Sequence, residues 1–126
     1  MRTIKFRGKR LMSEDWEYGN LIQRPCGGNF IETGDMRLCP IQDFSVGQFT
    51  GLYDKNGKEI YEGDIVRYSL DDRKDIGYIG FHARSASFRV IAKHTDFGIG
   101  NRGGLHELAL EVIGNIYDNP ELLQHN

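Results

Sequence analysis

The chain has 126 residues, 39% of them hydrophobic, which suits one domain with a modest core or one domain with a small subdomain. Its 16 basic and 18 acidic residues leave a formal net charge of -2, which excludes a global electrostatic footprint for nucleic acid but leaves room for a local patch. No apolar run approaches the roughly 20 residues of a membrane helix, the start MRTIKFRGKR lacks the apolar centre of a signal peptide, and two cysteines are too few for a disulfide framework, so the expectation is a soluble, cytoplasmic chain with no membrane contact and with Cys26 and Cys39 reduced.

Many glycines spread through short apolar runs predict many turns and hence many strands. Residues 2–8 alternate, with Ile4 and Phe6 on one side and Thr3, Lys5 and Arg7 on the other, the period of a half-buried strand. Arg2, Lys5, Arg7, Lys9 and Arg10 form a basic cluster. It reads as a charged strand whose cations discourage edge pairing, rather than as a nucleic-acid contact, because no array of stacking aromatics neighbours it. Residues 11–23 fit no single period. Gly19-Asn20 is a turn dipeptide, which predicts two short strands, one with Trp16 and Tyr18 and one with Leu21 and Ile22. Trp16 is read as a core or subdomain anchor. A loop at 24–29, a short strand at Phe30-Ile31 and a turn at Thr33-Gly34-Asp35 follow. A further strand over 36–41 carries Pro40, which consigns it to a sheet edge.

The strongest local signals lie in QFTGLYDKNGKEIYEGDIVRY at 48–68. Asp54 can bond backbone two residues on, and Asn56 and Gly57 tolerate left-handed geometry, so 54–58 is a hairpin turn between Leu52-Tyr53 and Ile60-Tyr61. Lys55 and Lys58 read as a solvated tip, not a phosphate loop, because no Gly-rich strand-to-helix context surrounds them. Glu62-Gly63-Asp64 is a second turn. Strands are predicted at 64–68, 76–82, 87–92 and 111–117. Asp71, Asp72 and Asp75 lack the spacing of a calcium loop and read as a solvated connection. The strand at 76–82 carries apolar side chains on both faces, which predicts cover on two sides. The Gly-rich segment 93–106 has the length of a functional or mobile loop. Gly114 marks a bulge or a tight bend in the last strand. Asn119 as N-cap, Pro120 at the first helical position and Glu121 behind it predict one helical turn, docked through Leu122 and Leu123.

Candidates for chemistry are sparse. His82, His94, His106 and His125 lie in no metal-binding spacing, and Cys26 and Cys39 form no CxxC pair, so a zinc site would need two isolated cysteines and two distant histidines. No G-x-S-x-G motif is present, and nothing in the sequence motivates pairing Cys39 as a nucleophile with His94 or His106. The sequence reading is therefore of a non-enzyme with no catalytic residues, no metal and no cofactor.

Three blocks together resemble the YopX family of phage and prophage proteins. They are Ile4-Lys5-Phe6-Arg7, the run QFTGLYDKNGKEIYEGDIV at 48–66, and EVIGNIYDNPELL at 111–123. Order and spacing match over nearly the whole chain, while the regions 26–40 and 98–104 are particular to this sequence. The resemblance implies a mainly-β protein encoded in bacterial mobile elements, hence a bacterial host cell. It implies no activity and supplies no catalytic residues to carry over.

The predicted fold is mainly β. Residues 1–50 form an N-terminal β extension or subdomain, and 51–126 form a small SH3-like barrel with one short C-terminal helical turn. The predicted core is Ile4, Phe6, Trp16, Leu52, Ile65, Val66, Tyr68, Ile79, Phe81, Phe88, Val90, Val112, Ile113, Ile116 and Leu122. The leading functional expectation is a non-catalytic phage or prophage accessory protein that binds another protein. The second is nucleic-acid binding through Arg67, Tyr78, Arg84, Phe88, Arg89 and Lys93, a role that small barrels often serve. A third, an enzyme, would need convergent His, Asp and Cys side chains in a cleft. Exposed strand edges make a homo-oligomer a further expectation.

Overall fold

The computed structural model describes residues 3–70, 72–93, 95–99, 106 and 109–124. The described residues form eleven strands: β1 (Phe6–Lys9), β2 (Trp16–Gln23), β3 (Asn29–Glu32), β4 (Leu38–Ile41), β5 (Gly47–Tyr53), β6 (Glu59–Tyr61), β7 (Asp64–Leu70), β8 (Arg73–His82), β9 (Ser87–Ile91), β10 (Asp96–Gly98) and β11 (Leu110–Asn115). Short 3-10 turns cover Asp43–Ser45 and Pro120–Leu123. The strands lie in two antiparallel sheets, ordered β4-β3-β2-β1-β5-β6 and β10-β9-β8-β7-β11. The chain divides into two compact units, Met1–Phe49 and Thr50–Asn126, with β5 running from one into the other.

In the first unit β1 is an interior strand, pairing with β2 on one side and with the start of β5 on the other. This corrects the reading of the basic cluster as edge protection. Arg7 and Lys9 are buried, with the Arg7 guanidinium 4.7 Å and the Lys9 ammonium 5.9 Å from the centre of the Trp16 ring. Their stems supply apolar contact and their charges lie over an aromatic face. Lys9 also pairs with Glu14. The core here is Ile31, Cys39, Ile41 and Phe49, none of which was expected from the pattern, while Ile4 is 55% exposed because it precedes the first regular pairing. Gly19 does not turn the chain. Strand β2 runs through it without a break, and β3 crosses so closely that a Cβ at Gly19 would overlap the carbonyl oxygen of Glu32. Pro40 does lie on an outer strand, and a bridge from Arg10 to Ile41, with the Leu11 amide donating to the Pro40 carbonyl at 3.0 Å, ties the far side of β4 back to the end of β1.

The second unit is built on the predicted hairpin. The Asp54 amide donates to Lys58 O at 2.8 Å and the Gly57 amide to Asp54 O at 3.0 Å, with Gly57 at φ 79°. The Asp54 side chain, 1% exposed, extends the turn. Its Oδ1 accepts the amides of Asn56 (2.8 Å) and Lys58 (2.9 Å), and its Oδ2 accepts the amide of Val112 (2.9 Å) on β11. The Lys55 amide donates to Leu110 O at 3.0 Å, so the turn covers the outward edge of β11. Burial pushes the Asp54 carboxyl up, but the amides of Val112, Lys58 and Asn56 and the Lys58 charge outweigh it and hold it below the usual carboxylate range. At the next corner the Tyr61 amide donates to Asp64 Oδ2 at 2.7 Å, and the Gly63 amide to Ile79 O at 2.8 Å.

The core of this unit contains Ile60, Val66, Tyr68, Ile79, Val90, Ile99 and Leu110, with Leu52, Phe88 and Val112 packed against it. Phe81, expected inside, is 48% exposed and meets Phe88 edge to face at the end of the sheet. Burial, followed by the charge and hydrogen bond of Asp75, raises the Tyr68 phenol above its ordinary value.

Three further expectations are corrected. The five-stranded sheet is open, so its pairing does not make an SH3-like barrel: β10 pairs with β9 and β11 with β7, and the 54–58 turn takes the edge of β11 that closure would need. The polar connection expected at 69–75 is mostly strand, because β7 and β8 pair up to Leu70 and Arg73, with Asp72 at φ 65° just before Arg73. Asn119 caps no helix. Its Oδ1 accepts the Asn115 amide at 3.2 Å, while Asn115 Oδ1 accepts the amides of Tyr117 and Asp118 and ends β11 two residues early. The bulge at Gly114 is present, between Val112 and Gly114.

Three outcomes check these contacts. Gly19→Ala should destabilise the protein by about 2 kcal/mol, because a Cβ there forces β2 from β3, read as a lower urea midpoint. Asp54→Ala should cost about 3 kcal/mol by orphaning buried amides. The lowered folded pKa of Asp54 also sets a sign: its stabilisation is complete above the unfolded carboxylate value of about 3.9 and disappears as pH falls through the lower folded value. Wild-type unfolding free energy should therefore drop with acid in that window more steeply than that of Asp54→Asn.

Candidate functional site

Strand alternation gives the second sheet two unlike faces. Val66, Ile79 and Val90 turn into the core. The opposite face carries cross-strand rows fixed by the register: Ile65, Tyr78 and Ile91 in one, Arg67 and Ile76 in the next, Gly80 and Arg89 beyond. Ile65 is fully buried, whereas Ile76, Tyr78 and Ile91 are only half-buried. Gly80 matters to this face: a Cβ there would stand 2.5 Å from Ile91 Cδ1, so the missing side chain lets Ile91 lean across the strand.

Ile76, Tyr78 and Ile91 line a cleft of about 350 Å³ together with Ala92, Lys93 and Leu123 of the final turn, which packs against β8. A second hollow of about 210 Å³ adjoins it, lined by Arg67, Lys74, Asp75 and Ile76. Ile76 belongs to both. The cleft is mainly apolar with one ammonium at its rim, and it presents hydrocarbon and an aromatic ring for contact.

The six residues proposed for nucleic acid do not gather into one patch. Tyr78 and Lys93 share the cleft, and Arg67 and Arg89 lie on the same face. Phe88 pairs with Phe81 and packs on the core side, and Arg84 sits in the turn between β8 and β9. Arg67 is 3.0 Å from Glu111, which also lies 3.8 Å from Lys55, and Arg89 is 3.1 Å from Asp96.

His82 Nδ1 lies 2.8 Å from Ser85 Oγ and also accepts the Ser85 amide at 3.2 Å, an arrangement that fastens the exposed turn after β8. Cys26 is exposed and Cys39 buried, with neither in a disulfide. His106 is exposed, and His94, His125 and Asp71 lie outside the described residues, as does most of the 98–104 segment. Among the described residues no group of three or more His, Cys, Asp or Glu could hold a metal ion, and no helix is long and apolar enough to cross a membrane. Sequence reasoning passed over Ile76, Ile91 and Leu123 as site residues. The available signal was the two-sided apolar pattern of β8, which predicts cover on both faces where the structure leaves one partly open.

The family model described as YopX protein matches residues 5–124. Over 70 residues the chain is 33% identical to the SPbeta prophage-derived uncharacterized protein YopX of Bacillus subtilis (strain 168), an alignment covering 54% of this chain and 52% of that protein. The matched part thus spans about half the length of the curated relative. The fold is similar to that in the crystal structure of protein EF1440 from Enterococcus faecalis, with a TM-score of 0.58 and 24% identity, covering 98% of this chain and 100% of the other.

Proposed function

The chain belongs to the YopX family, and on that premise we propose that it is a non-catalytic prophage accessory protein that works by binding another protein. The binding surface is the outer face of the five-stranded sheet. One observation carries the reading: Ile76, Tyr78, Ile91 and Leu123 form an apolar cleft on the solvent side of a sheet whose core is on the other side. An apolar hollow of this kind, rimmed by charge, is the usual mark of a contact site. The side chains that meet there offer shape and hydrocarbon contact rather than a nucleophile with a base.

Nucleic-acid binding is the second reading, favoured by Arg67, Tyr78, Arg89 and Lys93 on or beside one face. It is weakened by the acids already paired with Arg67 and Arg89 and by the turning of Phe88 away from that face. A basic, aromatic platform for strands needs its cations free and its rings in a row.

The test is comparative capture of partners from phage-infected bacteria by the tagged full chain and by Tyr78→Asp and Ile91→Asp variants. Both sites are half-exposed, so each variant should stay folded, losing less than about 2 kcal/mol. A host or phage protein retained by the wild type and lost by both variants is the expected outcome. Retention of the same proteins by all three would overturn the assignment of this face. A salt-dependent mobility shift of labelled DNA or RNA by the wild type alone would favour the second reading.

A further inference from the structure

The two hollows that share Ile76 differ in character. One is an apolar cleft around Tyr78, Ile91 and Leu123. The other is polar and contains Arg67, Lys74 and Asp75. Lys74 lies two residues from Ile76 on β8, hence on the same face, and Lys93 borders the apolar cleft beside Ile76. Charge therefore collects at one end of an apolar trough.

Three acids near this face are already engaged. Glu111 is shared by Arg67 and Lys55, Asp96 holds Arg89, and Asp75 hydrogen-bonds to Tyr68, whose ring points to the core side. Among the described residues Lys74 and Lys93 have no ion-pair partner. Two ammonium groups beside hydrocarbon select an anionic partner that also carries an apolar group. Tyr78 is the one Phe, Tyr or Trp of β7, β8 and β9 on this face, because Tyr68, Phe81 and Phe88 lie on the other, so a run of bases finds no row of large rings. The cleft volume suits one large apolar side chain.

We propose that this face takes an acidic, apolar segment of a partner protein. An apolar side chain of that segment enters the cleft of Tyr78, Ile91 and Leu123, and neighbouring carboxylates meet Lys74 and Lys93. The inference rests on the protein-binding reading above and adds the chemistry of the partner.

The test uses the isotope-labelled full chain and two synthetic peptides with the same leucine and phenylalanine residues, one otherwise rich in glutamate and the other in lysine. The glutamate peptide should move the amide signals of Ile76, Tyr78 and Ile91. The double variant Lys74→Glu/Lys93→Glu should bind it at least about tenfold more weakly and should gain affinity for the lysine peptide. That exchange of preference is a readout that unfolding cannot imitate. Equal binding of both peptides at this face, or preference of the wild type for the lysine peptide, would overturn the acidic partner while leaving protein binding in place. Movement of the same amides by a single-stranded oligonucleotide and by neither peptide would overturn both readings. No movement with any of the three would overturn the acidic segment.

Discussion

One buried carboxylate governs the second unit. Asp54 accepts amides from its own turn and from β11, so the same side chain shapes the hairpin tip and fastens it to the last strand. A carboxylate with one oxygen for each task has few substitutes: serine or threonine lacks the second acceptor, and asparagine presents a donor where a donor must be received. Charge-assisted bonds to amides in a dry site are stronger than their neutral counterparts, which is why burial of this anion is tolerated. The Lys55 amide reinforces the link through the Leu110 carbonyl.

That link also decides the topology. A five-stranded sheet with a strongly twisted order can close on itself if its two edges meet. Here the edge of β11 is occupied by the 54–58 turn, and β10 is a three-residue strand hydrogen-bonded to β9. The result is an open sheet whose longer edge strand, β11, is covered by a turn, a common way of blunting unpaired backbone. The face away from the core then carries the half-buried apolar residues that line the cleft.

Local rules were legible in the sequence where a residue's own chemistry sets the geometry. The 54–58 turn, the bulge at Gly114 and the outer position of Pro40 all follow from side-chain acceptors, missing Cβ atoms or a missing amide. Strands β7, β8, β9 and β11 were readable because β-branched and aromatic residues cluster there. Long-range choices were not. Gly19-Asn20 has the composition of a turn, yet Gly19 is present to admit the Glu32 carbonyl from β3, a contact no local window contains. Arg7 and Lys9 look like surface residues until Trp16, on a strand antiparallel to theirs, supplies an aromatic face. Asn119 is a good cap in isolation, but its oxygen is claimed by Asn115. The cleft was hidden for a related reason: period-two alternation shows that both faces of β8 are apolar and cannot show how much of each is covered.

Leu123 lines the cleft from the last turn of the described chain. A reporter, affinity handle or anchoring group joined behind that turn would therefore begin next to the cleft and crowd its opening.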